Sequence, residues 1–279
     1  MTFLIWNVRG LNDPLKQKSI VARIKKLNAH LVCLIETRVK ENKSQPIIAR
    51  HFEGWNWTNN YSFAYNGRIW IIWGDHIKVD VVASTAQCVT CKILIDAKQF
   101  YFSVVYGFNE GVLRKNLWKH LDSLHGSLCQ SPWMLARDFN IIANTNESSN
   151  PDRTQGLKSD IKDFQESVQK LAIFDHAYTG PTFTWSNHQG NGFLARKLDR
   201  AMINDKWSLS FYHSTVEFLA PGDLDHCPIL VRLEQPTDSK PKPFKFFNFW
   251  TNHPEFLTTV AKSWKEPMMG SPMEMLRRK

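Results

Sequence analysis

The chain of 279 residues is long enough for one large domain or two ordinary ones, and its 43% apolar content allows a sizeable core. Lys and Arg exceed Asp and Glu by 35 to 26, and the net charge of +9 favours a partner that carries phosphate groups. The apolar runs fall well short of the ~20 residues that a membrane span needs, and no signal-peptide pattern opens the sequence. We therefore predict an intracellular protein without a membrane partner.

Five cysteines are scattered along the chain, mostly inside apolar segments. An odd number in such positions favours buried, reduced thiols over a disulfide framework. Cys88 and Cys91 form a single C-x-x-C pair within a strand-like stretch, and no second pair completes a zinc site, so a zinc or redox role is the weaker alternative. The remaining cysteines are Cys33, Cys129 and Cys227.

The amino-terminal half predicts a strand, a helix, a strand and then a meander. Apolar residues 3–6 form a strand-like run, residues 14–30 carry apolar positions at helical spacing with Pro14 in the first turn, and residues 31–35 are apolar throughout. From Trp55 to Tyr106, short β-rich runs alternate with turn residues, which is typical of an antiparallel meander.

The rest of the domain alternates helices with strands. Residues 111–128 predict a helix, residues 132–140 a buried strand, residues 144–156 an exposed loop and residues 159–171 a helix capped by Ser159. Further strands are expected at 181–187, 194–204, 215–220 and 229–231. This order predicts an α/β (α+β) fold, a four-layer sandwich in which two mixed β-sheets pack face to face and helices cover them outside.

The composition changes near Gln235, where prolines, lysines and aromatic residues become frequent. We therefore expect one domain over residues 1–234 and a linker or tail over residues 235–279.

Several apolar runs end in one polar side chain, as expected of a site at the end of a sheet. These side chains are Asn7, Glu36, Tyr106, Asp138 with Asn140, and Asp199, and the pair Asp225 and His226 stands just before the run 229–231. Four of them are carboxylates, which would repel each other in one cleft of low dielectric. A bound cation is therefore expected.

Seven short motifs in this order resemble the endonuclease/exonuclease/phosphatase superfamily, and within it the endonuclease domain of plant non-LTR retroelements. They are W-N-V-R-G-L-N at 6–12, L-I-E-T-R at 34–38, V-Y-G at 105–107, D-F-N at 138–140, G-P-T-F-T-W at 180–185, L-D-R-A at 198–201 and D-H-C-P at 225–228. Residues 242–264 are similar to the segment that precedes the reverse transcriptase in such elements, so the chain resembles a fragment or a solitary domain.

The resemblance implies a nuclease that hydrolyses phosphodiester bonds of DNA in the nucleus with Mg²⁺ or Mn²⁺ and no small-molecule cofactor. Glu36 and Asn7 would hold the cation, a hard ion that prefers oxygen ligands, and Asp225 would face it. Asp138 would orient or deprotonate the attacking water. Asn140 and Tyr106 would contact the scissile phosphate, and Asp199 would orient a protonated His226.

The same resemblance places Thr182 near the phosphate. Basic residues around the cleft would hold the nucleic-acid backbone with little sequence reading; the candidates are Arg9, Arg38, Arg114 and Arg196.

Two positions depart from the family pattern. Arg137 replaces the usual Gly before D-F-N, where a Gly marks close backbone approach or unusual dihedral angles, and we expect Arg137 to crowd the site or pair with Asp138. Leu224 replaces the usual Ser before Asp225 and removes a hydroxyl donor. These departures leave open an impaired relic that binds nucleic acid without turnover. The shared motifs also allow a phosphatase or exonuclease of the same superfamily.

Overall fold

The computed structural model describes residues 1–233 and 253–265. The chain divides into two units, Met1–Gln235 and Pro236–Lys279. The predicted linker after residue 234 lies mostly outside the described residues, and its boundary stays a prediction. Within the second unit the described part contains one helix, Phe256–Lys265. In neither described range is a helix both long enough and apolar enough to cross a bilayer.

Fifteen strands run through the described part of the first unit, numbered here in chain order. They are β1 Thr2–Asn7, β2 Leu31–Ile35, β3 Asn56–Asn59, β4 Ile69–Trp73, β5 Lys78–Ser84, β6 Cys88–Ile95, β7 Lys98–Tyr106, β8 Trp133–Asp138, β9 Phe174–Asp175, β10 Tyr178–Thr179, β11 Trp185–Ser186, β12 Ala195–Arg196, β13 Asp199–Ile203, β14 Thr215–Phe218 and β15 Ile229–Arg232.

Five helices accompany them, and two 3-10 turns occupy 145–147 and 151–157. The helices are α1 Pro14–Lys26, α2 Glu41–His51, α3 Gly111–Leu128, α4 Lys158–Lys170 and α5 Asp205–Ser210, and the helix of the second unit is α6.

The strands form two large mixed sheets and one small hairpin. The first sheet has the order β10-β14-β15-β1-β2-β4-β3, the second β5-β6-β7-β8-β13-β9, and β11 pairs with β12. Three neighbouring pairs are parallel: β1 with β2, β7 with β8 and β10 with β14. The remaining pairs are antiparallel.

Three buried apolar clusters divide the first unit into four layers. One fills the space between the sheets, with Phe3 and Ile71 from the first sheet against Phe102 and Ala136 from the second. A second lies under α1 and α2, and a third under α3 and α4. The predicted sandwich of two packed mixed sheets with helices outside is thus confirmed.

The local sequence explains why α1 forms where it does. Asp13 caps the helix by accepting a hydrogen bond from the Leu15 amide at 3.1 Å, and Pro14 follows in the first turn, where it needs no amide partner. Ile20 and Ile24 turn toward the sheet and are buried. The helix ends at Lys26, four residues before the predicted end at residue 30.

Several predicted elements differ from the structure. The segment 55–106 is not one meander, because β3 and β4 join the first sheet while β5, β6 and β7 join the second. The predicted strand at 181–187 is reduced to β11, and the strand at 194–204 is interrupted between β12 and β13. Ser159 does not cap α4, because a 3-10 turn runs directly into that helix.

Burial keeps the C-x-x-C thiols protonated. Both side chains lie in β6, and burial raises the pKa of Cys88 and of Cys91 to about 12. A thiol in that state is a poor nucleophile and a poor metal ligand.

Residues with a strained, positive-φ backbone are concentrated where the strands end. Ten residues other than glycine have a positive φ among the described residues, and five of these lie at one end of the sheets. They are Arg9, Glu36, Arg38, Arg137 and Asn140. At Arg137 φ is 118°, outside the left-handed helical region that other L residues visit, so the backbone there suits glycine.

This strain predicts an unusual order of stability at position 137. Both Arg137→Gly and Arg137→Ala remove the side chain, but only the glycine variant relaxes the backbone, so its free energy of unfolding exceeds that of the alanine variant by about 1–3 kcal/mol. Urea unfolding measures the difference. At the exposed helical residue Lys119 the same two substitutions serve as control, and there alanine is the more stable by about 1 kcal/mol. Equal stability of the two variants at position 137 would contradict a strained backbone.

Candidate active site

The polar side chains at the strand ends lie together at the same end of both sheets. In the second sheet, Asp138 at the end of β8 is in register with Tyr106 of β7 and with Asp199 at the start of β13. In the first sheet, Asn7 ends β1 beside the end of β2, where Glu36 follows. The loop before β15 carries His226, which bridges to Trp185 of the small hairpin.

Asp138 joins the two sheets through hydrogen bonds. Its side chain is fully buried, and Oδ2 accepts a hydrogen bond from Asn7 Nδ2 at 3.1 Å. Its other oxygen, Oδ1, accepts the backbone N–H of Asn140 at 3.0 Å. The Asn140 side chain in turn donates to the Gly107 carbonyl at 2.6 Å.

His226 lies between two buried carboxylates. Its Nδ1 donates to Asp199 Oδ2 at 2.9 Å, and its Nε2 lies 3.6 Å from Asp138 Oδ2. Asp199 is held in turn by Thr184, whose hydroxyl oxygen accepts the Asp199 amide at 2.9 Å. Asp199 therefore fixes the ring so that Nε2 faces Asp138.

Burial and neighbouring charge separate the pKa values of these groups. Burial raises the pKa of Asp138 to about 6, against the opposing effect of His226. Burial also acts on Asp199, but Arg137 and His226 outweigh it and lower its pKa. The pKa of His226 is raised, because Asp199 and Asp138 outweigh its burial. An ionised Asp199 beside a protonated His226 is the favoured state.

Arg137 lies within this cluster and pairs with Asp199. Its guanidinium Nε is 3.5 Å from Asp199 Oδ1, and Nη1 donates to the Cys227 carbonyl at 2.7 Å. The side chain is fully buried, and its Nε and Nη2 atoms have no hydrogen-bond acceptor. The expected pairing with Asp138 is therefore wrong: Arg137 competes with His226 for Asp199 instead.

Glu36 has two partners at the surface of the cleft. The Tyr106 hydroxyl donates to Glu36 Oε1 at 2.7 Å, and the Arg38 guanidinium pairs with Oε2. Burial raises the pKa of Tyr106, and the nearby carboxylates of Glu36 and Asp138 raise it further. The Arg68 guanidinium stands 5.2 Å from the centre of the Tyr106 ring.

Asp225 is held at the other side of the cleft. It pairs with Arg9, and Oδ2 accepts the indole N–H of Trp185 at 3.2 Å. Burial acts to raise the pKa of Asp225, but His226 and Arg9 lower it overall. Leu224, at the second departure from the family pattern, packs partly buried against the apolar cluster under α1 and α2.

One cluster among residues 1–233 and 253–265 is dense enough to hold a metal ion: ligand atoms of Asp138, Asp199 and His226 lie within 4.8 Å of one another. The predicted ligands Glu36, Asn7 and Asp225 are not this cluster. A protonated His226 is a poor metal ligand, whereas the carboxylate and amide oxygens of Glu36, Asn7 and Asp138 are the donors that a hard divalent cation prefers. A cation bound by Glu36, Asn7 and Asp138 would also offset the free-energy cost of ionising the buried Asp138.

Three predicted phosphate-binding residues lie in different settings. The Arg114 side chain is only 1% exposed and binds Asp160 at 2.9 Å and the Asn140 carbonyl at 2.9 Å, so it braces the loop after β8 and does not face a phosphate. Arg196 is half-buried and donates to the Arg153 carbonyl at 3.2 Å. Thr182 is exposed on the segment before β11.

Three residues that contact the site were not predicted from the sequence. Thr184, which aligns Asp199, belongs to the same G-P-T-F-T-W motif as Thr182, so the alternation of that motif is the signal that could have found it. Trp185 ends that same motif, although its contact with Asp225 was not predicted. Arg68 carries no local signal, because only packing brings it to Tyr106.

Solved structures of DNA-processing enzymes share this fold at low sequence identity. The chain resembles a 3′ phosphatase, NExo, from Neisseria, bound to a product DNA hairpin (TM-score 0.65, 15% identity, covering 84% of this chain and 100% of that one). It also resembles the endonuclease domain of TRAS1, a telomere-specific non-LTR retrotransposon (0.61, 12%, 82% and 96%). A third is the AP endonuclease LMAP from Leishmania major (0.63, 15%, 84% and 88%).

The comparison with curated proteins found no match. Residues 4–238, most of the chain, match the endonuclease/exonuclease/phosphatase family. The superfamily suggested by the seven motifs is thus confirmed, and the chain belongs to the endonuclease/exonuclease/phosphatase family.

Proposed function

We propose that this protein is a divalent-cation-dependent phosphodiesterase that nicks duplex DNA. The observation that carries the proposal is the buried array in which Asp199 orients His226 and His226 Nε2 faces Asp138 across 3.6 Å. A raised pKa on a carboxyl group and a raised pKa on the adjacent imidazole suit a general base and a cationic stabiliser.

Each residue has a role in this chemistry. Asp138, once ionised, orients the attacking water and accepts its proton. The protonated His226 stabilises the charge that develops on the phosphoryl oxygens, and Asp199 maintains its protonation. Asn140 supplies a hydrogen bond at the scissile phosphate through its second amide hydrogen, and Tyr106 supplies one when its hydroxyl turns away from Glu36. Glu36 and Asn7 would hold Mg²⁺ or Mn²⁺, which would neutralise phosphate charge and ease departure of the leaving oxygen.

The substrate and setting follow from charge and resemblance. A net charge of +9 favours a polyanion, and the half-exposed guanidinium groups of Arg9 and Arg38 flank the acidic cleft. The fold neighbours include a retrotransposon endonuclease domain. We therefore propose DNA cleavage at a retroelement insertion site, in the nucleus, by a domain whose natural context is fusion to a reverse transcriptase.

Nicking of supercoiled plasmid tests the activity directly. With Mg²⁺ the wild type is expected to convert supercoiled plasmid to the open circle, EDTA abolishes this, and Asp138→Ala lowers the rate by about 10²-fold or more because the base is lost. Asp205→Ala, which removes an exposed carboxylate from α5, is the matched control and leaves the rate unchanged. Hydrolysis of a small phosphate ester without plasmid nicking would favour the phosphatase alternative instead.

The pH dependence of nicking follows from the two raised pKa values. The rate should rise with pH as Asp138 ionises, with the limb at or below about 6, because a bound cation lowers that pKa. It should fall again above the raised pKa of His226, as the imidazolium is lost. Single-turnover rates from about pH 5 to 9 measure both limbs. His226→Gln should be slower and lack the alkaline limb; an alkaline limb that persists in this variant assigns it to another group.

Arg137 supports a second candidate, a relic that binds nucleic acid with little or no turnover. Its guanidinium pairs with Asp199 and so weakens the stabilisation that Asp199 gives to the His226 imidazolium. The backbone at Arg137 is also strained. Leu224 supplies no hydroxyl near Asp225.

The two candidates are separated by restoring the glycine. We expect Arg137→Gly to nick plasmid about tenfold faster than the wild type, because Asp199 then serves His226 alone. Arg137→Lys keeps the charge and is expected to stay near the wild-type rate. A wild type that nicks well and is slowed by Arg137→Gly would remove the basis of the relic candidate.

A further inference from the structure

The loop of residues 60–67, between β3 and β4, holds two aromatic rings in solvent. Phe63 is 56% exposed and Tyr65 78% exposed. The third aromatic of the loop, Tyr61, is buried: its hydroxyl donates to the Val39 carbonyl at 2.9 Å and accepts the indole N–H of Trp70 at 3.1 Å. One ring thus anchors the loop, and two are displayed.

Hydrogen bonds fix the backbone that displays these rings. The Asn60 side chain accepts the Ile69 amide at 3.0 Å and donates to the Thr85 carbonyl at 3.0 Å. The Asn60 carbonyl accepts the amides of Phe63 and Ala64, each at 3.0 Å. Rigid aromatic side chains bind ligands at a low cost in conformational entropy, so a fixed display of this kind suits a contact surface.

The loop lies at the same end of the first sheet as the acidic cleft. Its last residue, Gly67, accepts the Arg38 amide at 3.1 Å, and the Arg68 carbonyl accepts the Glu36 amide at 2.7 Å. β4 is adjacent to β2, and β3 stands two strand positions, about 10 Å, from β2. A DNA strand advances about 3.4 Å per nucleotide along its axis, so the loop lies within a few nucleotides of a phosphate at Glu36.

The charge around the loop suits a polyanion. No acidic residue occurs between Glu53 and Asp75. The one basic residue in that stretch, Arg68, places its guanidinium 5.2 Å from the ring centres of both Tyr106 and Phe108. Exposed aromatic rings with cationic groups nearby are typical of surfaces that bind single-stranded nucleic acids. Here Arg38 and Arg68 adjoin the carboxyl end of the loop, next to Glu36.

We propose that Phe63 and Tyr65 form a stacking platform for unpaired bases of the DNA strand that flanks the cleaved phosphate. This inference rests on the proposed nuclease function and specifies its substrate: DNA that is locally unpaired beside the cleavage site. Bases inside a duplex are already stacked and offer only their edges, so exposed rings gain stacking from bases that have left the helix.

Binding of labelled oligonucleotides in EDTA tests the platform without cleavage. The probes are an oligothymidylate of about 20 nucleotides, an abasic chain of equal length and a hairpin duplex. The wild type should bind the thymidylate about tenfold or more tightly than the abasic chain, and Phe63→Ala/Tyr65→Ala should remove that difference, since stacking contributes about 1–3 kcal/mol per base. Binding of the abasic chain should stay nearly constant, because the phosphate contacts remain.

Two further variants separate stacking from structural effects. Tyr212→Ala removes a ring that is 74% exposed and follows α5, at the opposite end of β13 from Asp199, and should leave all three affinities unchanged. Phe63→Trp/Tyr65→Trp keeps two rings and should retain thymidylate binding. Loss of binding in this variant would show that the loop, and not stacking, matters.

Plasmid nicking by the same preparations keeps the two hypotheses distinct. If the wild type nicks plasmid but the alanine variant binds thymidylate as well as the wild type, the platform is overturned and the nuclease stands. If the wild type does not nick plasmid, the nuclease proposal fails whatever the oligonucleotides show. A concentration-dependent dimer that the alanine variant loses would make the two rings a protein interface and overturn the nucleic-acid assignment.

Discussion

The burial of charge between the two sheets is the constraint on which the rest of the site depends. Asp138, Asp199 and Arg137 are fully buried, and His226 nearly so. Each isolated charge in such a place would cost several kcal/mol, which its partners must offset. Two carboxylates, one guanidinium and one imidazolium have no net charge together. β8, β13 and the loop before β15 therefore bury these charges along with their counter-charges.

The ion pairs at the surface of the cleft are exposed to water, unlike the buried array. Glu36 and Asp225 each pair with an arginine whose side chain is about half exposed. Exposed pairs contribute little to stability, because water screens them and their side chains stay mobile. The buried array therefore maintains the geometry. In the proposed function, Arg9 and Arg38 would exchange a carboxylate partner for a phosphate at small cost. This division suits the proposed nuclease, in which Asp138 must keep its position while a large polyanion enters the cleft.

Arg137 stabilises a buried charge through its side chain but strains the backbone at its own position. Its guanidinium offsets the ionised Asp199, yet φ at 118° is a conformation that glycine adopts freely and arginine does not. Two of its nitrogen atoms remain buried without acceptors. The strain is sustained by β8, whose ladders to β7 and β13 on both sides prevent the backbone from relaxing.

Local pattern in the sequence determined the main elements: the apolar runs of β1, β2 and β8, the helical spacing of α1, α3 and α4, and the polar residues at the strand ends. The resemblance to the family, not local pattern, indicated that position 137 usually holds a glycine. Local pattern could not decide which sheet each strand of 55–106 joins, since alternation is the same in either sheet. Partner choice was equally hidden: Arg137 with Asp199, Arg114 with Asp160 and Thr184 with Asp199 join residues far apart in the chain. Only tertiary packing decides such pairs, because a side chain's partners depend on which strands lie side by side.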